Sequence, residues 1–145
     1  MRADRAAERV NRHMARRETV VPESMKEVHE RFRYAPGVKA GPLLFMAGQL
    51  GRDEQLNVIE DKEAQFAQAF ENVEKVLSAA GATFDDVVDM ITYHTDMQDL
   101  QLFIKVKDRY FTNLDQLPTW TAIGVAALAM PGLSAEIKCT ALLPD

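Results

Sequence analysis

Between residues 60 and 80 the apolar positions Phe66, Phe70, Val73, Leu77 and Ala80 step by four, three, four and three. One continuous stripe at that spacing predicts a helix with a single buried face over 60–80. Gly81 then falls where a helix end favours the left-handed backbone that glycine adopts without a steric cost. A second helix is expected from Asp99, a residue suited to cap free N–H groups, with Phe103, Val106, Tyr110 and Phe111 turned inward and an end near Asn113. Other stretches read as strands. Residues 32–39 and 43–50 flank Gly41-Pro42 and predict a hairpin. Residues 86–97 carry Val87, Val88, Ile91, Thr92, Tyr93 and Thr95, branched or aromatic side chains that fit extended backbone. Residues 119–128 and 134–143 give two last strands, joined through Pro131-Gly132. Met25 to Phe32 fits a helical turn or a loop, and the polar stretch 51–60 predicts a loop.

The order is therefore ββαβαββ, an α+β arrangement with two helices on one face of a mostly antiparallel sheet. Alternation along the strand from Thr119 puts Trp120, Ala122, Gly124 and Ala126 on one face and Thr121, Ile123 and Val125 on the other. The branched second set is assigned to the helix side. On the last strand Ala135, Ile137, Cys139 and Ala141 oppose Glu136, Lys138 and Thr140. The face remote from the helices is then expected to hold small residues, one indole and one carboxylate, and to be covered by another subunit.

A chain of 145 residues and 16.3 kDa fits one domain around one core. No apolar run reaches the length of a membrane span, and no signal-peptide core is present, so no membrane partner is expected. Cys139 is the sole cysteine. With no second thiol to pair, it reads as a small buried hydrophobe in a protein of the reducing cytoplasm.

The net charge of −5 divides unevenly: six arginines against Asp4 and Glu8 leave residues 1–17 at +4 and the remainder at −9. The body is thus a poor partner for nucleic acid. In the head, Arg2, Arg5, Arg9, Arg12 and Arg16 lie on one face of a short basic helix and Ala3, Ala7, Val10 and Met14 on another. A surface helix or frayed arm is the preferred reading over a targeting or membrane segment, because two acids interrupt it. Residues 1–21 are taken as a basic extension and 22–145 as a single domain. Phosphate-binding glycine loops, nucleophile elbows and Cys-x-x-Cys pairs are absent, and Asp85-Asp86 reads as a turn cap. His94 and Asp96 share a face but lack a third ligand nearby, so no metal is expected.

From Tyr34 onward the chain resembles the RidA/YjgF (RutC-like) family, trimers of chorismate-mutase-like fold. The resemblance lies in Tyr34 with Gly37-Val38-Lys39-Ala40-Gly41, then Leu44-Phe45-Met46-Ala47-Gly48-Gln49, Ala80-Gly81, Phe84-Asp85-Asp86-Val87-Val88, Thr95-Asp96-Met97, Tyr110-Phe111 and Ala135-Glu136-Ile137. Within the family the stretch Trp120-Thr121-Ala122-Ile123-Gly124-Val125, with Tyr93-His94-Thr95-Asp96 and Glu136-Ile137-Lys138, is similar to the YjgH-like branch. The resemblance implies a homotrimer with three small-molecule clefts between subunits. It also implies hydrolysis of enamines and imines to a keto acid and ammonia without metal or cofactor. A glutamate on the last strand orients water in active members, and Glu136 occupies that place; Tyr34 matches the family tyrosine. The carboxylate-gripping arginine of the pattern Pro-x-Arg-Ser is replaced by Trp120 in Pro118-Thr119-Trp120-Thr121. An indole offers one neutral donor where a guanidinium offers a charged fork.

The candidate catalytic residues are accordingly Glu136 and Tyr34, and the candidate ligand-binding residues Trp120, Ala122, Gly48, Gln49, His94 and Lys138. Each has a plainer reading. Trp120 fills a cleft mouth or subunit interface, or stacks on a ligand. Glu136 activates water or sits in a salt link. Tyr34 closes a pocket wall, Lys138 stands in for the missing cation or neutralises Glu136, and His94 is a pH-sensitive pocket residue or a packed one. Two functions follow: a cofactor-independent imine or enamine hydrolase whose substrate lacks the usual carboxylate clamp, or a small-molecule binding trimer that has lost that reaction.

Overall fold

The computed structural model describes residue 5 and residues 16–145. The basic helix expected over 1–17 falls outside them except at Arg5, Arg16 and Arg17. In chain order the elements are β1 (Arg17–Val20), α1 (Lys26–Phe32), β2 (Gly37–Ala40), β3 (Leu43–Met46), β4 (Gln49–Leu50), α2 (Lys62–Ala79), β5 (Val87–His94), α3 (Leu100–Lys107), β6 (Thr119–Gly124) and β7 (Ala135–Leu142). They form an α+β fold with one sheet of order β1-β2-β3-β7-β5-β6, β4 also pairing with β7. Every pairing is antiparallel except β5 with β6.

The long helix forms where the stripe predicts it. Asp61 accepts from Ala64 N at 3.0 Å to cap its start, and Gly81, at φ +80°, turns the chain away at its end. Phe66, Phe70, Val73 and Leu77 are fully buried against Leu44, Met90, Ile137 and Ala141 of the sheet. Phe70 also stacks on Tyr110 at 5.0 Å, and Phe84 and Phe111 close that aromatic cluster. Asp86 accepts from Thr83 N at 2.8 Å, the turn cap expected of it.

Several boundaries differ. The second helix is capped by Asp96, which accepts from Gln98 N at 2.9 Å and opens a 3-10 turn before α3. Asp99 binds Lys62 Nζ instead, through both oxygens at 2.9 Å. The first strand of the hairpin starts at Gly37 and not at Phe32, because Phe32 ends α1 and Arg33 follows in the left-handed conformation at φ 57°. An edge strand, β1, takes Arg17–Val20 from the stretch assigned to the extension and pairs it with β2. The strand from Thr119 stops at Gly124, before the expected Leu128.

The face assignment of β6 is overturned. The parallel register sets Trp120 beside Met90, Ala122 beside Thr92 and Gly124 beside His94, and those three β5 residues are buried under the helices. Trp120, Ala122 and Gly124 therefore lie on the helix side, while Ile123 is turned to the opposite face. That face carries Phe45, Ile123 and Leu142, each 41–49% exposed, together with Glu136 and Lys138. It is neither small-sided nor the face of the indole. Among the described residues no helix is long and apolar enough to cross a membrane. Cys139 is buried in the core, where desolvation pushes its thiol up to about 12.

Candidate functional site

Where β4 meets β7 the ladder slips by one residue. Phe45 pairs with Thr140 but Gln49 with Ile137, so four residues advance on one strand against three on the other. The extra residue makes a bulge at Ala47-Gly48, fixed by Ala47 N donating to Pro36 O at 2.9 Å. The bulge brings the Gly48 backbone against the Glu136 side chain: a Cβ at Gly48 would lie 2.8 Å from Glu136 Cδ.

Gly48 and Glu136 share a cavity of about 620 Å³ with Tyr34, Leu50, Arg52, Leu56 and Met130; Arg31 and Phe32 also line it. Tyr34 is placed by the left-handed turn after α1, and its carbonyl accepts from His29 Nδ1 at 2.8 Å. Its hydroxyl accepts from Arg52 Nη2 at 3.4 Å. Burial raises the Glu136 carboxyl above its ordinary range, opposed by the positive charges of Lys138 and Arg52. Neither cation is committed to it. Lys138 donates to Met46 O at 2.7 Å, and Arg52 donates to Met130 Sδ at 3.3 Å as well as to Tyr34. A carboxylate so placed can hold a water and accept its proton.

Of the residues singled out from sequence, this cavity gathers Tyr34, Gly48 and Glu136. Lys138 lies two residues along the same strand face as Glu136, opposite Ile91. Gln49 turns to the helix side, opposite the buried Ile137, and donates to Ala47 O at 3.2 Å. Arg31, Arg52 and Met130 were not anticipated. Arg52 falls in a stretch legible only as polar loop, with no periodicity to fix its direction.

Trp120, Ala122 and His94 form a separate cluster across the sheet. Trp120 Nε1 donates to Thr92 Oγ1 at 2.9 Å, and its ring lies 6.2 Å from the Phe103 ring with Lys107 Nζ 5.1 Å above it. The same Thr92 hydroxyl shares a 2.7 Å hydrogen bond with His94 Nε2, and among the described residues the buried His94 Nδ1 has no hydrogen-bond partner. His94 is fully buried and packs edge-on to Phe103 at 4.7 Å. Asp96, exposed and capping the next turn, is not beside it. Within one chain, then, the indole and Glu136 do not share a wall.

Burial holds His94 below its ordinary value of 6.5, with Asp99 acting in the opposite direction. As pH falls below about 6.5 the unfolded chain takes up a proton that the folded chain resists. The stability contributed by the neutral ring is complete above 6.5 and is lost as pH drops toward the lowered folded value. Between about pH 7.5 and about pH 5.5 the parent is therefore expected to lose more stability than His94→Leu, measured by urea unfolding. Equal losses in the two proteins would contradict this.

The sequence profile described as Endoribonuclease L-PSP matches residues 25–143. The RutC family protein YjgH of Escherichia coli strain K12 is 36% identical over 133 residues, covering 91% of this chain and 99% of that protein. The solved structure of protein YJGH superposes with a TM-score of 0.82 at 36% identity, covering 90% of this chain and 98% of that one. Rv2704 from Mycobacterium tuberculosis, a member of the YjgF/YER057c/UK114 family, superposes at 0.74 with 31% identity over 88% and 99% of the two chains. The 2-iminobutanoate/2-iminopropanoate deaminase of Salmonella typhimurium strain LT2 is 29% identical over 97 residues, 66% of this chain and 76% of that protein.

Proposed function

Because this chain belongs to the Endoribonuclease L-PSP family, which takes in the RutC and YjgF proteins, we propose that it binds a small metabolite beside Glu136 and hydrolyses its imine or enamine C–N bond. The observation that carries the reading is Glu136 itself, a partly buried carboxylate in a cavity whose two neighbouring cations are bonded elsewhere. A water held by Glu136 loses a proton to it as the oxygen adds to the C=N carbon. That proton passes to nitrogen to give a carbinolamine, whose hydroxyl proton then moves by way of Glu136 to the same nitrogen, so that ammonia leaves and a carbonyl remains; an enamine enters by taking a proton on carbon and losing one from nitrogen. Water and substrate supply every atom. The cavity residues provide position and proton transfer. RNA is a poor substrate for a body at −9.

The sheet face bearing Phe45, Ile123 and Leu142 supports a homotrimer in which subunits cover one another and extend the cleft. The single buried thiol fits the cytoplasm. Light scattering is expected to give three times 16.3 kDa, and a monomer would overturn the assembly. Catalysis is tested by ammonia release from freshly generated 2-aminoacrylate and from neutral imines. Acceleration over buffer supports the hydrolase. No acceleration on either class would overturn it in favour of a binding protein.

A further inference from the structure

Among the described residues Arg52 presents its guanidinium in the cavity to only two weak, neutral acceptors, the Met130 thioether at 3.3 Å and the Tyr34 hydroxyl at 3.4 Å. Both lengths exceed those of a charge-assisted bond to a carboxylate, typically about 2.7–2.9 Å. Arg52 and Glu136 line one cavity yet stand further apart than the 4.0 Å of an ion pair, so the site holds a cation and an anion on separate walls. Arg52 is half-buried, so its guanidinium is open to a ligand entering the cavity.

The Arg52 backbone is fixed. Its N–H donates to Leu50 O at 2.9 Å, and its carbonyl accepts from the buried Asn72 Nδ2 at 3.0 Å. Arg52 also forms a bridge with Val58 across the loop. Inside that loop Asp53 Oδ1 accepts from Gln55 N and Asn57 N, each at 2.9 Å. The fork is thus delivered from a braced loop and can exchange two weak neutral contacts for one planar oxyanion without moving the main chain. Phe32 and Tyr34, both exposed aromatic rings, and Met130 supply apolar surface beside it.

We propose that Arg52 is the anion-binding residue of this cavity, taking the carboxylate of a ligand whose apolar body lies on Phe32, Tyr34 and Met130. The inference rests on the same cavity being the ligand site, but it concerns binding and does not need turnover. Benzoate and benzamide, equal in shape and different in charge, test it by calorimetric titration of the full chain at constant ionic strength. Benzoate is expected to bind at least tenfold more tightly than benzamide. Arg52→Gln should weaken benzoate about tenfold to a hundredfold and leave benzamide unchanged, the loss expected for a charge-assisted pair. Arg52→Lys, which keeps the charge without the fork, should recover part of the difference. Circular dichroism of each variant reports folding. Equal affinity for the two probes, no binding of benzoate, full benzoate affinity in folded Arg52→Gln, or a loss that follows Arg31→Gln instead would each overturn the assignment. Should imine hydrolysis fail while benzoate binding depends on Arg52, the reaction is wrong and the clamp stands. Hydrolysis with no carboxylate preference gives the converse.

Discussion

Gly51→Ala is expected to destabilise the protein by about 3 kcal/mol or more and to lower the melting temperature by about 10 °C. A Cβ at this position would lie 2.2 Å from the Gln65 backbone oxygen and 2.3 Å from Gln65 Cγ. The first obstacle is main chain inside α2, which cannot swing aside as a side-chain tip can, so β4 must lift from the helix. The lift would strain Ile59 N donating to Gly51 O at 3.0 Å. It would also disturb the buried Gln65 amide, which donates to Ile59 O and Gly132 O at 2.9 and 3.0 Å and accepts from Ser134 N at 2.7 Å. Those bonds tie the Arg52 loop to the loop that carries Met130. Urea unfolding of parent and variant checks the result. A difference below about 1 kcal/mol would mean that the close packing of β4 on α2 is not what holds this end of the sheet.

Gln65 itself shows what the apolar pattern leaves unread. The stripe Phe66, Phe70, Val73, Leu77 is legible because burial of one helix face repeats at the helical period. Gln65 is as buried as Phe66, yet it is a polar residue beside the stripe, and nothing local says that its partners are Ile59, just before the helix, and Gly132 and Ser134 in a distant loop. The same holds for Arg52. Its direction is set by Asn72 and Val58, contacts that exist only once the chain has closed. β1 was missed for a related reason: Arg17–Val20 is short and mostly exposed, and its pairing with β2 comes from an edge left open by the hairpin.

Trp120 is the instructive failure. Alternation correctly separates Trp120, Ala122 and Gly124 from Thr121 and Ile123, but on an edge strand with both faces half-apolar it cannot say which set faces the helices. β5 decides, since Met90, Thr92 and His94 are buried and the parallel register carries Trp120 with them. Glu136, by contrast, was placed rightly on the face away from the helices, because Ala135, Ile137, Cys139 and Ala141 mark the buried side of β7 without ambiguity. Lacking an arginine on β6, the chain still has a cation in the Glu136 cavity, brought there by a loop that sequence periodicity does not describe.

Glu136→Gln is expected to lower imine hydrolysis by about a hundredfold to ten-thousandfold, the range lost when a positioned proton acceptor is removed. The amide keeps the size of the side chain and loses only the basic oxygen, so the fold should be unaffected. In the proposed reaction the ionised form of the parent is the one that accepts the proton. Burial raises the carboxyl, so activity should rise with pH through a midpoint above the ordinary 4.5, and removal of the positive charge in Arg52→Gln should move that midpoint further up. Gly48→Ala separates position from chemistry. The added methyl would lie 2.8 Å from Glu136 Cδ and 3.0 Å from Oε2, and the obstacle here is the free end of a side chain. The carboxylate can turn away at little cost in stability, but it then leaves the place where water must be held. Turnover should therefore fall at least tenfold in a variant that unfolds within about 1 kcal/mol of the parent. Full activity in Gly48→Ala, or in Glu136→Gln, would place the hydrolytic group elsewhere in the molecule.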